Sequence, residues 1–327
     1  MAHQFNITVG GHTVPVWEFD STAQQIDNVV AALGAPSTPQ EALAALGAGV
    51  RPNLLDNAYF VGGGTGYGVF PVNQRGKTQY TELGPMFDRW KLEYGVGSIV
   101  ELTPDGLTIL GGTRYSLIRS SLSRTLPVGA TYTLTVLFRN GTVVSNVITV
   151  PNENNRSEHT PITPGGTYMR LFGPKTFEIV GITGDKTPEI ELIKLEQGNR
   201  QTAAYQKSDG TWAMLPQNLD YQRELAKCQE YYWESSIVFA SNTHFNEGHL
   251  LCNVQFPVKM RTIPAVTIKS VSGTPGILSY WASMGDSPVT ATANSATISD
   301  EGFNDLVTST MQSGAAYAFR VVASAEL

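Results

Sequence analysis

The sequence predicts a mainly β protein: a jelly-roll-like β-sandwich, a second β-rich C-terminal domain, and a short α/β segment at the N-terminus. Three observations lead there. Residues 131–136 alternate polar and apolar without a break, as a strand with one buried face does. Turn signals such as Pro104-Asp105-Gly106, Asn140-Gly141 and Pro164-Gly165-Gly166 recur at the spacing of a sandwich. Charged residues make up only 15% of the 327 residues, and glycine reaches 32, a balance typical of turn-rich β proteins rather than helical ones.

In chain order, Phe5, Ile7 and Val9 alternate with polar residues and lead through Gly10-Gly11 into 12–17, which predicts a hairpin, because both glycines accept positive φ. Ser21 and Gln24 form a capping box ahead of an apolar stripe of Ile26, Val29, Val30 and Leu33. A second helix is expected from Thr38 as N-cap, Pro39, Glu41 and the closing Gly47. Ala-Ala-Leu-Gly-Ala stands at both 31–35 and 44–48. Residues 1–51 are too few to bury a core alone, so they are expected to serve attachment and oligomerisation. Residues 52–198 read as the sandwich, with strands near 99–102, 107–110, 131–136, 143–150, 169–171, 177–180 and 190–195. The polar stretch 199–218 reads as a linker, and 219–327 as the C-terminal β-rich domain. That domain opens with a helix over 220–232, whose Tyr221, Leu225, Cys228 and Tyr232 share one face. Its strands are expected near 237–240, 250–256, 265–268, 289–293 and 316–322.

Four runs in the sandwich are specific beyond composition: Asn53-Leu54-Leu55-Asp56-Asn57-Ala58-Tyr59-Phe60, Pro71-Val72-Asn73-Gln74-Arg75-Gly76, Phe87-Asp88-Arg89-Trp90 and Glu191-Leu192-Ile193-Lys194-Leu195-Glu196-Gln197-Gly198. Two more follow, Leu225-Ala226-Lys227-Cys228-Gln229-Glu230-Tyr231-Tyr232 and the stretch from Phe256-Pro257-Val258-Lys259-Met260 to Thr267. Together they resemble the carbohydrate-binding-module-like jelly roll and the distal domain of bacteriophage and prophage tail-fibre or minor structural proteins. The resemblance spans residues 52–327. It implies a virion protein, a homotrimer, contact with other virion proteins through residues 1–51, and adhesion to a bacterial surface glycan. A head fibre or capsid decoration protein is the alternative role. The residues themselves add that Arg75, Arg89, Asp56 and Asp88 pair as structural ions, and that Trp90 points inward.

Chemistry is expected to be binding rather than catalysis. Glycans need exposed aromatic faces with nearby amide, guanidinium or carboxylate groups; Tyr67, Arg114, Tyr115, His244, Tyr280 and Trp281 are the candidates, with Tyr80, Tyr94 and Phe245 behind them. No carboxylate pair stands out for glycoside cleavage. No metal is expected, since the five histidines lack i, i+4 spacing. Gly62-Gly63-Gly64-Thr65-Gly66 lacks the Gly-Lys-Ser/Thr of a phosphate loop, so no cofactor is expected. A net charge of −6 argues against nucleic acid. No apolar run suits membrane insertion, no signal peptide is read, and Cys228 and Cys252 are expected as free thiols.

Overall fold

In the computed structural model the chain is mainly β. The structure describes residues 4–9, 12–17, 50–207, 210–215, 217, 219–241, 248–309, 311 and 315–326. The predicted N-terminal hairpin is present, β1 (Gln4–Val9) paired with β2 (His12–Trp17). The two predicted N-terminal helices lie outside the described residues.

Twelve strands build the sandwich: β3 (Gln79–Tyr80), β4 (Gly84–Pro85), β5 (Trp90–Tyr94), β6 (Ile99–Thr103), β7 (Gly106–Leu110), β8 (Ser116–Ser121), β9 (Thr131–Phe138), β10 (Val143–Thr149), β11 (Thr160–Pro161), β12 (Tyr168–Phe172), β13 (Thr176–Gly181) and β14 (Ile190–Gln197). The first sheet runs β10-β9-β14-β7-β6-β3 and the second β11-β12-β13-β8-β5-β4, antiparallel throughout. Their inner faces enclose one core in which Phe60, Phe87, Trp90 and Phe177 meet edge to face or tilted. Trp90 is buried as expected, and its indole N–H donates to the Asn57 carbonyl at 3.0 Å.

Residues 199–218, read as a linker, are instead built onto the sandwich. They form a hairpin of β15 (Ala204–Gln206) and β16 (Trp212–Met214). Ala203, Ala204, Trp212 and Met214 pack on Leu137, Val143 and Leu192 of the first sheet's outer face. Polarity misled the reading, because the apolar residues of so short a hairpin are only a few among many polar ones.

Helix α1 (Tyr221–Gln229) follows, with the Asp220 carboxylate accepting from the Gln222 and Arg223 amides. It is shorter than the 220–232 expected, since Tyr232 already begins β17 (Tyr232–Glu234). Then come β18 (Val238–Ser241), β19 (His249–Gln255), β20 (Ala265–Lys269), β21 (Ile277–Tyr280), β22 (Asp286–Ala293), β23 (Gly302–Thr308) and β24 (Ala316–Ser324). They form an eight-stranded sheet centred on β24, with a core of its own around Leu250, Leu278, Phe303, Tyr317 and Phe319. Both cysteines are free, and burial pushes the Cys228 thiol well up.

The specific motifs meet where the two domains join. Asp56 pairs with Arg89 at 3.3 Å and Asp88 with Arg75 at 2.9 Å, as the sequence predicts. Each arginine also reaches the C-terminal domain. The Arg89 guanidinium lies 3.4 Å over the Tyr231 ring and that of Arg75 3.6 Å over Tyr232, while Arg75 also binds Glu326 at 2.6 Å. Lys227 of α1 closes the cluster on Asp56 at 3.3 Å. The motifs therefore supply the side chains that join the sandwich to the helix and C-terminal strands.

Candidate functional site

The outer face of the second sheet gathers the most side chains suited to binding. Strand alternation sends Trp90, Leu92, Ile118, Phe177, Ile179, Met169 and Leu171 into the core, and their neighbours to the opposite face. A register shift between Leu92 and Tyr94 sets Tyr94 opposite the outward Leu117. Two rows then cross the sheet side by side. One reads Tyr168, Val180, Leu117, Tyr94; the other reads Arg170, Glu178, Arg119, Lys91. Three strand spacings of about 4.8 Å place the two tyrosines of the first row roughly 14 Å apart.

At one end of the first row Tyr115, 49% exposed, stacks on Tyr94 with ring centroids 4.8 Å apart. Arg114 donates to the Tyr94 hydroxyl at 3.3 Å. At the other end His159 stacks on Tyr168 at 4.1 Å. The second row is an ion ladder. The buried Glu178 accepts from Arg119 Nε at 2.8 Å and from Arg170 Nε at 2.7 Å. Arg119 also pairs with Glu93, whose other oxygen lies 3.6 Å from Lys91 Nζ. Arg170 Nη1 reaches the Tyr168 hydroxyl at 3.1 Å and His159 Nε2 at 3.2 Å. Beyond the rows, the Arg156 guanidinium lies 5.2 Å from the Phe172 ring.

Because Glu178 pairs with both guanidiniums, neither searches rotamers freely, which lowers the entropy lost when a ligand docks. Among these side chains, the cations Lys91, Arg114, Arg119, Arg156 and Arg170 outnumber the carboxylates Glu93 and Glu178, in a chain of net −6. Aromatic ends, an aliphatic middle and a flanking row of donors and acceptors make a surface that can stack sugar rings and bind their substituents.

The six predicted residues do not converge on one place. Arg114 and Tyr115 stand together on this face. Tyr67 lies at the domain joint, edge to face with Tyr221 at 5.4 Å between ring centroids and its hydroxyl bonded to Gln222. Tyr280 is half-buried and stacks on Tyr317, whereas Trp281, 46% exposed, meets Phe239 edge-on at 4.3 Å in the C-terminal domain. His244, like Phe245, lies outside the described residues. Tyr80 is a core residue whose hydroxyl donates to the Lys77 carbonyl.

Sequence reasoning missed Arg119, His159, Tyr168, Arg170 and Glu178. The available signal was alternation: in 168–172 and 176–181 every second residue is aromatic, charged or aliphatic in register with a neighbouring strand, but the pairing that aligns them is tertiary. Among the described residues, no group of three or more His, Cys, Asp or Glu side chains could hold a metal ion, and no helix is long and apolar enough to cross a membrane. No protein-family model matches the chain, and neither a curated protein nor a solved structure matches it.

Proposed function

We propose that this chain is an adhesin that holds a glycan bearing acidic groups against the outer face of the second sandwich sheet. The observation that carries the reading is the pair of rows on that face, one ending in stacked aromatics and the other laddered with pinned arginines. Tyrosine faces and aliphatic side chains cover the apolar side of a pyranose; guanidiniums take carboxylate or phosphate substituents; the part-exposed Glu93 accepts from hydroxyls. A polynucleotide fits less well, because its evenly spaced phosphates would also be set against the part-exposed Glu93 carboxylate.

The resemblance to phage fibre modules supplies the setting: a virion-borne protein, anchored through residues 1–51 and presenting several weak sites on one particle, whose avidity exceeds single-site affinity. The reaction class is binding alone, with no cofactor.

The test is direct binding of the purified chain to immobilised acidic and neutral glycans across a salt series. Acidic glycans should bind, more weakly as salt rises, and the double variant Arg114→Ala, Tyr115→Ala should lose that binding with its fold intact. Binding confined to neutral glycans would keep the adhesin and discard the acidic ligand. Binding of single-stranded DNA in preference to every glycan, or no glycan binding at all, would overturn the reading.

A further inference from the structure

The sandwich has four sheet edges, and three of them are blunted. Strands β3, β4 and β11 are two residues long each, and β4 and β11 end in Pro85 and Pro161. Short edge strands and prolines are how soluble β proteins prevent edge-to-edge pairing. The fourth edge, β10, has none of these devices. It runs for seven residues, Val143-Val144-Ser145-Asn146-Val147-Ile148-Thr149, with neither charge nor proline. It is paired with β9 at every position without a register shift. Among the described residues, no backbone group outside that ladder bonds to it.

An open ladder edge calls for one kind of occupant, an extended strand that returns the missing N–H and C=O partners. From this edge we infer that β10 is an assembly strand and that its partner is β10 of a second copy, antiparallel about a two-fold axis at Asn146. In that register Ser145 faces Val147, Val144 faces Ile148, Val143 faces Thr149, and the two Asn146 side chains meet on the axis. No like charges oppose one another, and the two amides can donate to and accept from each other. The exposed Val147 gains cover. The resulting contact is isologous, the commonest closed symmetry of soluble oligomers, and it joins two first sheets into one continuous sheet. The long edge strand of the C-terminal domain differs: β19 is interrupted by a register shift between Leu251 and Val254, a recognised guard against such pairing.

The inference is independent of the ligand reading and is tested by solution mass. Light scattering of the full chain should give an even number of protomers: two, or six if a three-fold contact also forms. The variant Ser145→Lys, Val147→Lys should halve that mass with an unchanged circular dichroism spectrum. Hydrogen exchange guards against a misfolded variant: in the unsubstituted chain, the outward amides of Val143, Ser145, Val147 and Thr149 should lose protection on dilution through the dissociation range, while those of Val144, Asn146 and Ile148, bonded to β9, keep theirs. A monomer or a bare trimer would overturn the inference, as would an even-numbered mass indifferent to the double lysine variant. Protection of the outward amides of Val143, Ser145, Val147 and Thr149 that persists in a monomer would also overturn it, by assigning the edge to another part of the same chain.

Discussion

The two outer faces of the sandwich are built from the same kind of strand and end up in opposite states. On the first sheet, hairpin β15–β16 covers the face, and beneath it Lys194 and Glu196 are wholly buried 3.7 Å apart. Lys194 donates to the Thr202 carbonyl and hydroxyl and to Gln217 Oε1, all three acceptors supplied by the covering segment. On the second sheet the ladder of Glu93, Arg119, Glu178 and Arg170 has a comparable alternation of charge, yet Tyr115, Arg114 and His159 beside it stay exposed. The difference teaches that alternating charge on a strand does not announce function. Where the chain supplies its own cover, the charges hold a lid down; where it does not, the side chains flanking the ladder stay exposed.

This contrast can be broken in order of expected effect. Lys194→Met should be the most damaging, costing about 3 kcal/mol or more in denaturant unfolding, because it leaves Glu196 buried without its cation; glycan binding per folded chain should be unchanged. Glu178→Leu should cost less, about 2 kcal/mol, since Arg119 and Arg170 keep some access to water, and it should also weaken binding by freeing both guanidiniums. Arg114→Ala with Tyr115→Ala should leave stability within about 0.5 kcal/mol and lower glycan affinity about tenfold or more in titration calorimetry. Equal effects of the first and third on binding would erase the distinction between the faces.

A smaller effect sharpens it. Burial pulls the Lys194 ammonium down to about 8, whereas an unfolded lysine titrates near 10.4. Between those values the unfolded chain binds more protons, so the Lys194 contribution to stability increases as pH rises from about 8 to 10 and is lost as it falls again. The gap in unfolding free energy between the natural chain and Lys194→Met should therefore widen over that interval. A gap that narrows would mean that the acceptors from Thr202 and Gln217 hold the lysine charged.

Much of the fold was legible in the sequence because its signals are local. Alternation in 131–136 and Asn140-Gly141 mark β9 and β10, and Gly10-Gly11 marks the hairpin β1–β2. Asp56, Asp88, Arg75 and Arg89 could be expected to pair, since four charges fall among apolar neighbours in motifs close along the chain. What could not be read is that Tyr231 and Tyr232, more than 140 residues further on, would cover those arginines. Lys194 misleads for a related reason: in Ile-Glu-Leu-Ile-Lys-Leu-Glu-Gln it has the spacing of a solvent-facing residue, and only the returning hairpin buries it. The candidate site was half visible, through Arg114 and Tyr115.

The sequence by itself determined the β class, the turns, the apolar cores and the residue types from which a binding face can be made. These follow from period-2 patterning and turn chemistry, which act between near neighbours. Tertiary structure alone decided which strands lie side by side, which outer face is covered, and which edge is left open. Those outcomes depend on register between strands far apart in sequence, where a one-residue slip sends every side chain to the other face.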